Sequence, residues 1–168
     1  MKKAIIVILS GVAGAIGGIL AVGQALEESE KILSKQIERT EQQQNLSDKL
    51  NSLFLLMNHW VKMKQKGFDI ATYLIDNNYN KIAIYGMSYV GETLLNELKN
   101  STVEVSYAID KNASNLCSEI DIFMPDADLR PVDAIVVTAV YFYDEIKADL
   151  VKRFKCPVIS LKDIIYGI

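Results

Sequence analysis

Residues 4–26, AIIVILSGVAGAIGGILAVGQAL, contain no charged side chain, and roughly 20 apolar residues suffice for a helix to cross the hydrocarbon core of a bilayer. Lys2 and Lys3 precede this run, and Glu27, Glu28 and Glu30 follow it. A cleaved signal peptide is the rival reading, with Ala21-Val22-Gly23 as its small-residue site. The run is longer than an ordinary signal core, however, and a charged, helix-forming sequence continues directly from it, which favours a retained anchor over residues 1–26. Lys31, Lys35 and Arg39 beyond the run outnumber the two lysines before it. Basic residues near the ends of a span set its orientation, so the expectation is a single-pass cell-membrane protein with a cytoplasmic C-terminal domain. Ser10, Gly14 and Gly18 fall four residues apart. Small residues at that spacing let two helix backbones approach closely, which predicts a homo-oligomer through this face.

Residues 27–66 read as a helical stalk. The segment EESEKILSKQIERTEQQQ is polar and helix-prone, which predicts a solvated helix. From Leu46 the pattern changes: Leu46, Leu50, Leu53, Met57 and Trp60 are spaced 4-3-4-3, joined by Phe54 and Val61. A coiled-coil seam normally needs three or four heptads, so packing of this face onto the C-terminal domain is the preferred reading. His59, the only histidine, lies off that seam. Gly67 is placed to end the helix, Asp69 to cap a short one reaching Asp76, and Asn77–Asn80 to form the turn before the first strand.

In residues 67–168 strands and helices alternate. Apolar runs at Lys81–Tyr85, Val103–Ile109, Ile120–Met124, Ala134–Thr138 and Pro157–Leu161 read as strands. Tyr89–Leu98 and Tyr141–Phe154 read as helices, and Lys162–Ile168 as a short amphipathic turn. Continuously apolar strands separated by helices imply a parallel sheet covered on both faces. The expected fold is therefore α/β, a minimal Rossmann-like doubly wound sheet of about five strands.

The turn after the first strand carries the most information. Gly86-Met87-Ser88-Tyr89-Val90-Gly91 stands where dinucleotide-binding folds have GxGxxG, with Ser88 at the second glycine. Free N–H groups opening the next helix form an anion site whatever the side chains. Asp110 follows the second strand, where an acid meets a ribose hydroxyl pair, and Thr138 supplies a hydroxyl at the end of the fourth. Gly86, Met87, Ser88, Tyr89, Gly91, Asp110 and Thr138 are thus the candidate ligand-contacting residues. The glycines and Asp110 also have purely structural uses, in the turn, the helix packing and the loop.

Other features yield no site. The net charge of −3 argues against a nucleic-acid partner. Cys117 and Cys156 form no metal-binding spacing. Asp126, Asp128 and Asp133 lack the spacing of a calcium loop. Tyr143 and Lys147 make the Y-x-x-x-K pair of short-chain dehydrogenases, but Thr138 stands only five residues upstream, whereas that family's serine lies about a dozen away. No catalytic residue is assigned.

From about Leu53 onward, the segments HWVKMKQKG, KIAIYGMSYVGETLLNEL, VEVSYAIDKN, VDAIVVTAVYFYDEI and CPVISLKDIIYGI follow one another. In that order the chain resembles the small Rossmann-like domain found beside bacterial glycosyltransferase and capsular polysaccharide proteins. The resemblance implies a nucleotide or nucleotide-sugar ligand, a dinucleotide being a further option, at Gly86, Ser88, Gly91 and Asp110. It also implies membrane-associated polysaccharide machinery as a partner. The leading expectation is a membrane-anchored binding module. A ligand-free tethered scaffold is the alternative, and a small NAD(P)-dependent oxidoreductase the weakest.

Overall fold

The computed structural model describes the backbone of residues 2–167 and the side chains of residues 26–167. The chain divides into two units, Met1–Leu50 and Asn51–Ile168. Helix α1 spans Lys2–Gln65. In the first unit every described side chain is exposed except that of Lys49, which is half-buried. Ser29, Ser34 and Thr40 donate to carbonyls one turn back, and Gln44 donates to Asp48 at 3.0 Å. Among the described residues no helix is long and apolar enough to cross a membrane. The expected span over residues 4–26 lies outside the described side chains apart from Leu26, as do Ser10, Gly14 and Gly18.

The second unit is a five-stranded, all-parallel sheet of order β3-β2-β1-β4-β5. Its strands are β1 (Lys81–Tyr85), β2 (Glu104–Ile109), β3 (Ile122–Phe123), β4 (Ala134–Val137) and β5 (Val158–Ser160). Helices α2 (Ile70–Asp76), α3 (Tyr89–Leu98), α4 (Tyr143–Leu150) and α5 (Leu161–Gly167) complete it. The C-terminal part of α1 joins α2, α3 and α5 on one face, where Leu56, Trp60, Leu74, Leu94 and Ile164 cover Ile82, Ile84 and Val136. On the other face, α4 sets Ile146 and Leu150 against Ala83, Tyr85, Ile135 and Val137. This is the doubly wound, Rossmann-like arrangement. Its order reverses beside β1, and ligands of such folds sit at that switch point, outside the strand C-termini.

Several element boundaries differ from expectation. The second strand begins at Glu104, not Val103, and skips Ser106: Ile82 pairs with Val105 but Ala83 with Tyr107. A one-residue bulge reverses side-chain parity. It turns Tyr107 and Ile109 toward the α4 face while Val105 stays on the opposite one. The third strand shrinks from Ile120–Met124 to Ile122–Phe123. Its last rung is Asp110 N to Phe123 O at 2.9 Å, and Pro125 has no N–H with which to extend it. The helix expected over Tyr141–Phe154 is a 3₁₀ turn at Val140–Phe142 followed by the shorter α4. Beyond Leu150 the chain continues as turns, with Phe154 N–H on Leu150 O at 2.8 Å and the Phe154 side chain packed against the core. The last strand ends at Ser160, because Leu161 already opens α5.

The apolar seam of α1 packs, but over a different set of residues. Leu56, Trp60 and Met63 are buried, Leu53 and Met57 half-buried, and Leu46, Leu50, Phe54 and Val61 exposed. Gly67 adopts a positive φ of 85° just past the end of α1, a conformation that glycine takes without a Cβ penalty. Asp69 then caps α2, accepting from Thr72 N at 2.7 Å. That backbone N–H holds the Asp69 carboxyl below the usual range. A depressed folded-state pKa stabilises above the unfolded value, and the contribution is lost as pH falls through the folded one. Asp69→Ala is expected to cost about 1 kcal/mol at neutral pH. In urea unfolding followed across pH, the gap from wild type should narrow below about pH 4.

Candidate functional site

The C-terminal ends of β1, β2 and β4 bring together all seven residues expected from the sequence. Gly86 leaves β1 with φ 98°. A Cβ there would lie 2.8 Å from Thr138 Oγ1 and 3.3 Å from Ala139 N, so the position excludes any side chain on both backbone and steric grounds. A Cβ on Gly91 would overlap the carbonyl oxygen of Gly86. The first turn of α3 therefore lies directly against the glycine turn. Both glycines serve a close approach of backbone to backbone.

Thr138 is buried at the end of β4, its Oγ1 lying 2.5 Å from Gly86 O and 3.0 Å from Tyr85 O. Its single hydroxyl hydrogen is thus used to hold the turn. Met87 is buried in the core by its side chain, and its N–H donates to Asp110 Oδ2 at 2.8 Å. Ser88 is exposed and stands at the N-cap of α3 without a side-chain capping bond. Tyr89, the first residue of α3, is 84% exposed.

Asp110 is fixed from two sides. Oδ2 accepts from Met87 N and Oδ1 from Asn112 N, both at 2.8 Å. A carboxylate offers about four lone-pair sites, so each oxygen keeps one for a further donor. Asp110 also borders a cleft of about 360 Å³ with Tyr85, Lys111, Phe142, Glu145 and Ile146. Of these residues only Asp110 was singled out from the sequence. Tyr85 reads as the end of an apolar strand, whose unbroken hydrophobicity leaves the face of its ring unmarked.

The remaining polar features of the sequence are occupied structurally. Tyr143 donates its hydroxyl to Val158 O at 2.9 Å, and Lys147 Nζ lies over the Tyr143 ring at 5.3 Å from its centroid. The pair is held within the fold. Asp133 accepts from Lys81 N at 2.7 Å and aligns the starts of β1 and β4. No cluster of three or more His, Cys, Asp or Glu with metal-binding geometry occurs among the described residues. His59 stacks on Tyr166 with 4.4 Å between ring centroids. Cys117 is exposed. Cys156 is half-buried, and that burial pushes its thiol pKa up, away from the reactive thiolate. Compared with known proteins, the chain matches no family model, no curated protein and no solved structure.

Proposed function

We propose that this chain is a membrane-anchored module that binds a nucleotide or nucleotide-sugar at the C-terminal edge of its sheet, in support of envelope polysaccharide assembly. The observation that carries the reading is Asp110. Its carboxylate is held in place by two backbone N–H groups at 2.8 Å and keeps an acceptor site on each oxygen. It faces the cleft beside the turn that opens α3. A ribose diol suits such an acceptor pair, and an anion suits the N-terminus of α3, whose N-cap side chain makes no capping bond. Met87 N–H is engaged by Asp110, so the amides open to a phosphate begin at Ser88. The ligand class and the pathway come from the resemblance, and the anchor from the uncharged run over residues 4–26.

Ser88→Asp tests this reading with little risk to the fold. Aspartate is a good N-cap and complements the positive end of the helix, so the melting temperature should hold or rise. The added charge repels a phosphate, and affinity for the nucleotide should fall by more than about tenfold, the equivalent of about 1.4 kcal/mol. The measurement is a thermal-shift panel on the full-length chain in mild detergent, with ATP, NAD⁺ and UDP-glucose. No shift of the wild type at millimolar ligand would sink the reading.

A further inference from the structure

Tyr85 immediately precedes the turn glycine, and strand alternation sends its ring to the α4 face with Ala83. The residue is only 7% exposed, yet its hydroxyl makes no hydrogen bond to a described residue. Every fully enclosed side-chain polar atom among the described residues does have a partner. The Tyr85 hydroxyl therefore keeps a residual opening. Two adjoining chambers supply it, of about 360 and 100 Å³, both lined by Tyr85, Lys111, Glu145 and Ile146. A phenol set this deep in a fold ordinarily finds a protein partner, because burying an unpaired hydroxyl is unfavourable.

The walls define what could pair with it. Asp110 and Glu145 bring carboxylates, Lys111 the one cation of the larger chamber, and Phe142 and Ile146 an apolar side. Carboxylates only accept hydrogen bonds, so an occupant must bring donors. Two carboxylates against one ammonium also disfavour a phosphoryl group here. Burial, and then the Asp110, Asp149 and Glu145 carboxylates, push the Tyr85 phenol above its ordinary value. It stays protonated at neutral pH and can both donate and accept.

We propose that Tyr85 is a ligand-binding residue, its hydroxyl acting with Asp110 and Glu145 to hold an uncharged sugar ring through a vicinal diol, with Phe142 and Ile146 against the ring's apolar face. The inference rests on the nucleotide reading in that the ring is either the ribose or the hexose of such a ligand. Any phosphate lies outside this cleft, toward α3.

The test uses the full-length chain in mild detergent with tyrosine labelled at ¹³Cζ. The Tyr85 signal is assigned by its loss in Tyr85→Phe. Four probes are titrated: adenosine, uridine, methyl α-D-glucopyranoside and 2′,3′-dideoxyadenosine. The Tyr85 signal should move with a diol-bearing probe and stay still with the dideoxynucleoside. A response to the nucleosides identifies ribose, and a response to the glucoside a hexose. Tyr85→Phe should weaken that binding about three- to tenfold, as for one lost hydrogen bond. Its melting temperature should match wild type, because the hydroxyl has no protein partner to lose. The proposal is overturned if no diol probe moves the signal, if the dideoxynucleoside binds equally well, or if Tyr85→Phe binds like wild type. A large fall in its melting temperature would overturn it too, by giving the hydroxyl a structural role. Uncharged diols that bind while the nucleotide panel stays silent would remove the nucleotide reading and leave the sugar cleft standing.

Discussion

Gly91→Ala should destabilise the sheet unit, and remove the proposed nucleotide affinity with it, although alanine is the better helix former. Within an exposed helix the substitution would be worth about 1 kcal/mol in favour of alanine. Here the new methyl overlaps the carbonyl oxygen of Gly86, which is backbone and cannot swing aside like a long side chain. Either α3 slides off the turn or the Gly86–Met87 peptide rotates. Rotation breaks the contact of Thr138 Oγ1 with Gly86 O and the bond from Met87 N to Asp110. Overpacking of this kind costs about 1–3 kcal/mol and sometimes more. With the lost turn contacts added, the net destabilisation should reach about 3 kcal/mol. Gly167→Ala is the control, because nothing lies within 4 Å of a Cβ built there. Urea unfolding of the two variants should separate them clearly. A Gly91→Ala protein as stable as wild type would show that the turn and α3 are not in contact.

Trp60→Ala should be the other severe variant. Trp60 is 3% exposed within the core of the α3 face, and truncating such a residue costs about 3–5 kcal/mol. The loss also reaches a polar tie. Glu97 on α3 accepts from Trp60 Nε1 at 2.7 Å, from Ile70 N at 3.0 Å and from Lys64 Nζ at 3.2 Å. One carboxylate thus fastens α1, α2 and α3 together, and its side chain is only 11% exposed. Without the indole, one Glu97 oxygen is left facing a cavity. Trp60→Phe separates the two effects: it keeps most of the ring volume and loses the charge-assisted bond, at a cost of about 1.5–3 kcal/mol. Trp60 is the sole tryptophan, so circular dichroism rather than tryptophan fluorescence must follow both variants. Equal stability of Trp60→Phe and wild type would show that the Glu97 tie contributes nothing.

Neither Glu97 nor Tyr85 stood out in the sequence, and the reason is the same for both. Glu97 lies in α3 as an ordinary polar residue on an amphipathic helix. Its meaning comes from Trp60 and Ile70, which are far away in the chain and near only after α1 and α2 have packed. Tyr85 ends the run KIAIY, in which every residue but the first is apolar or aromatic. A strand buried on both faces hides the period-2 pattern that would have told its two sides apart. The Ser106 bulge was equally unreadable, since register depends on the partner strand. Asp110 was half legible. Its position after β2 marked it, but its bonds to Met87 and Asn112 belong to the folded turn.

What the sequence determined alone is what local chemistry dictates. Residues that tolerate a positive φ stand where the backbone adopts one, glycine at Gly67 and Gly86 and asparagine at Asn78. Aspartate caps where a helix begins, as at Asp69. Apolar runs punctuated by helices demand a parallel sheet, and five strands formed one. The uncharged run over residues 4–26 likewise needs no fold to be noticed. Tertiary structure decided which side chains meet. It joined Asp110 to the amide of Met87, turned Thr138 inward onto Gly86, and set Tyr85 in the wall of a cleft. Local propensity acts over a few residues, whereas these contacts join strands more than twenty positions apart, so only packing could select them.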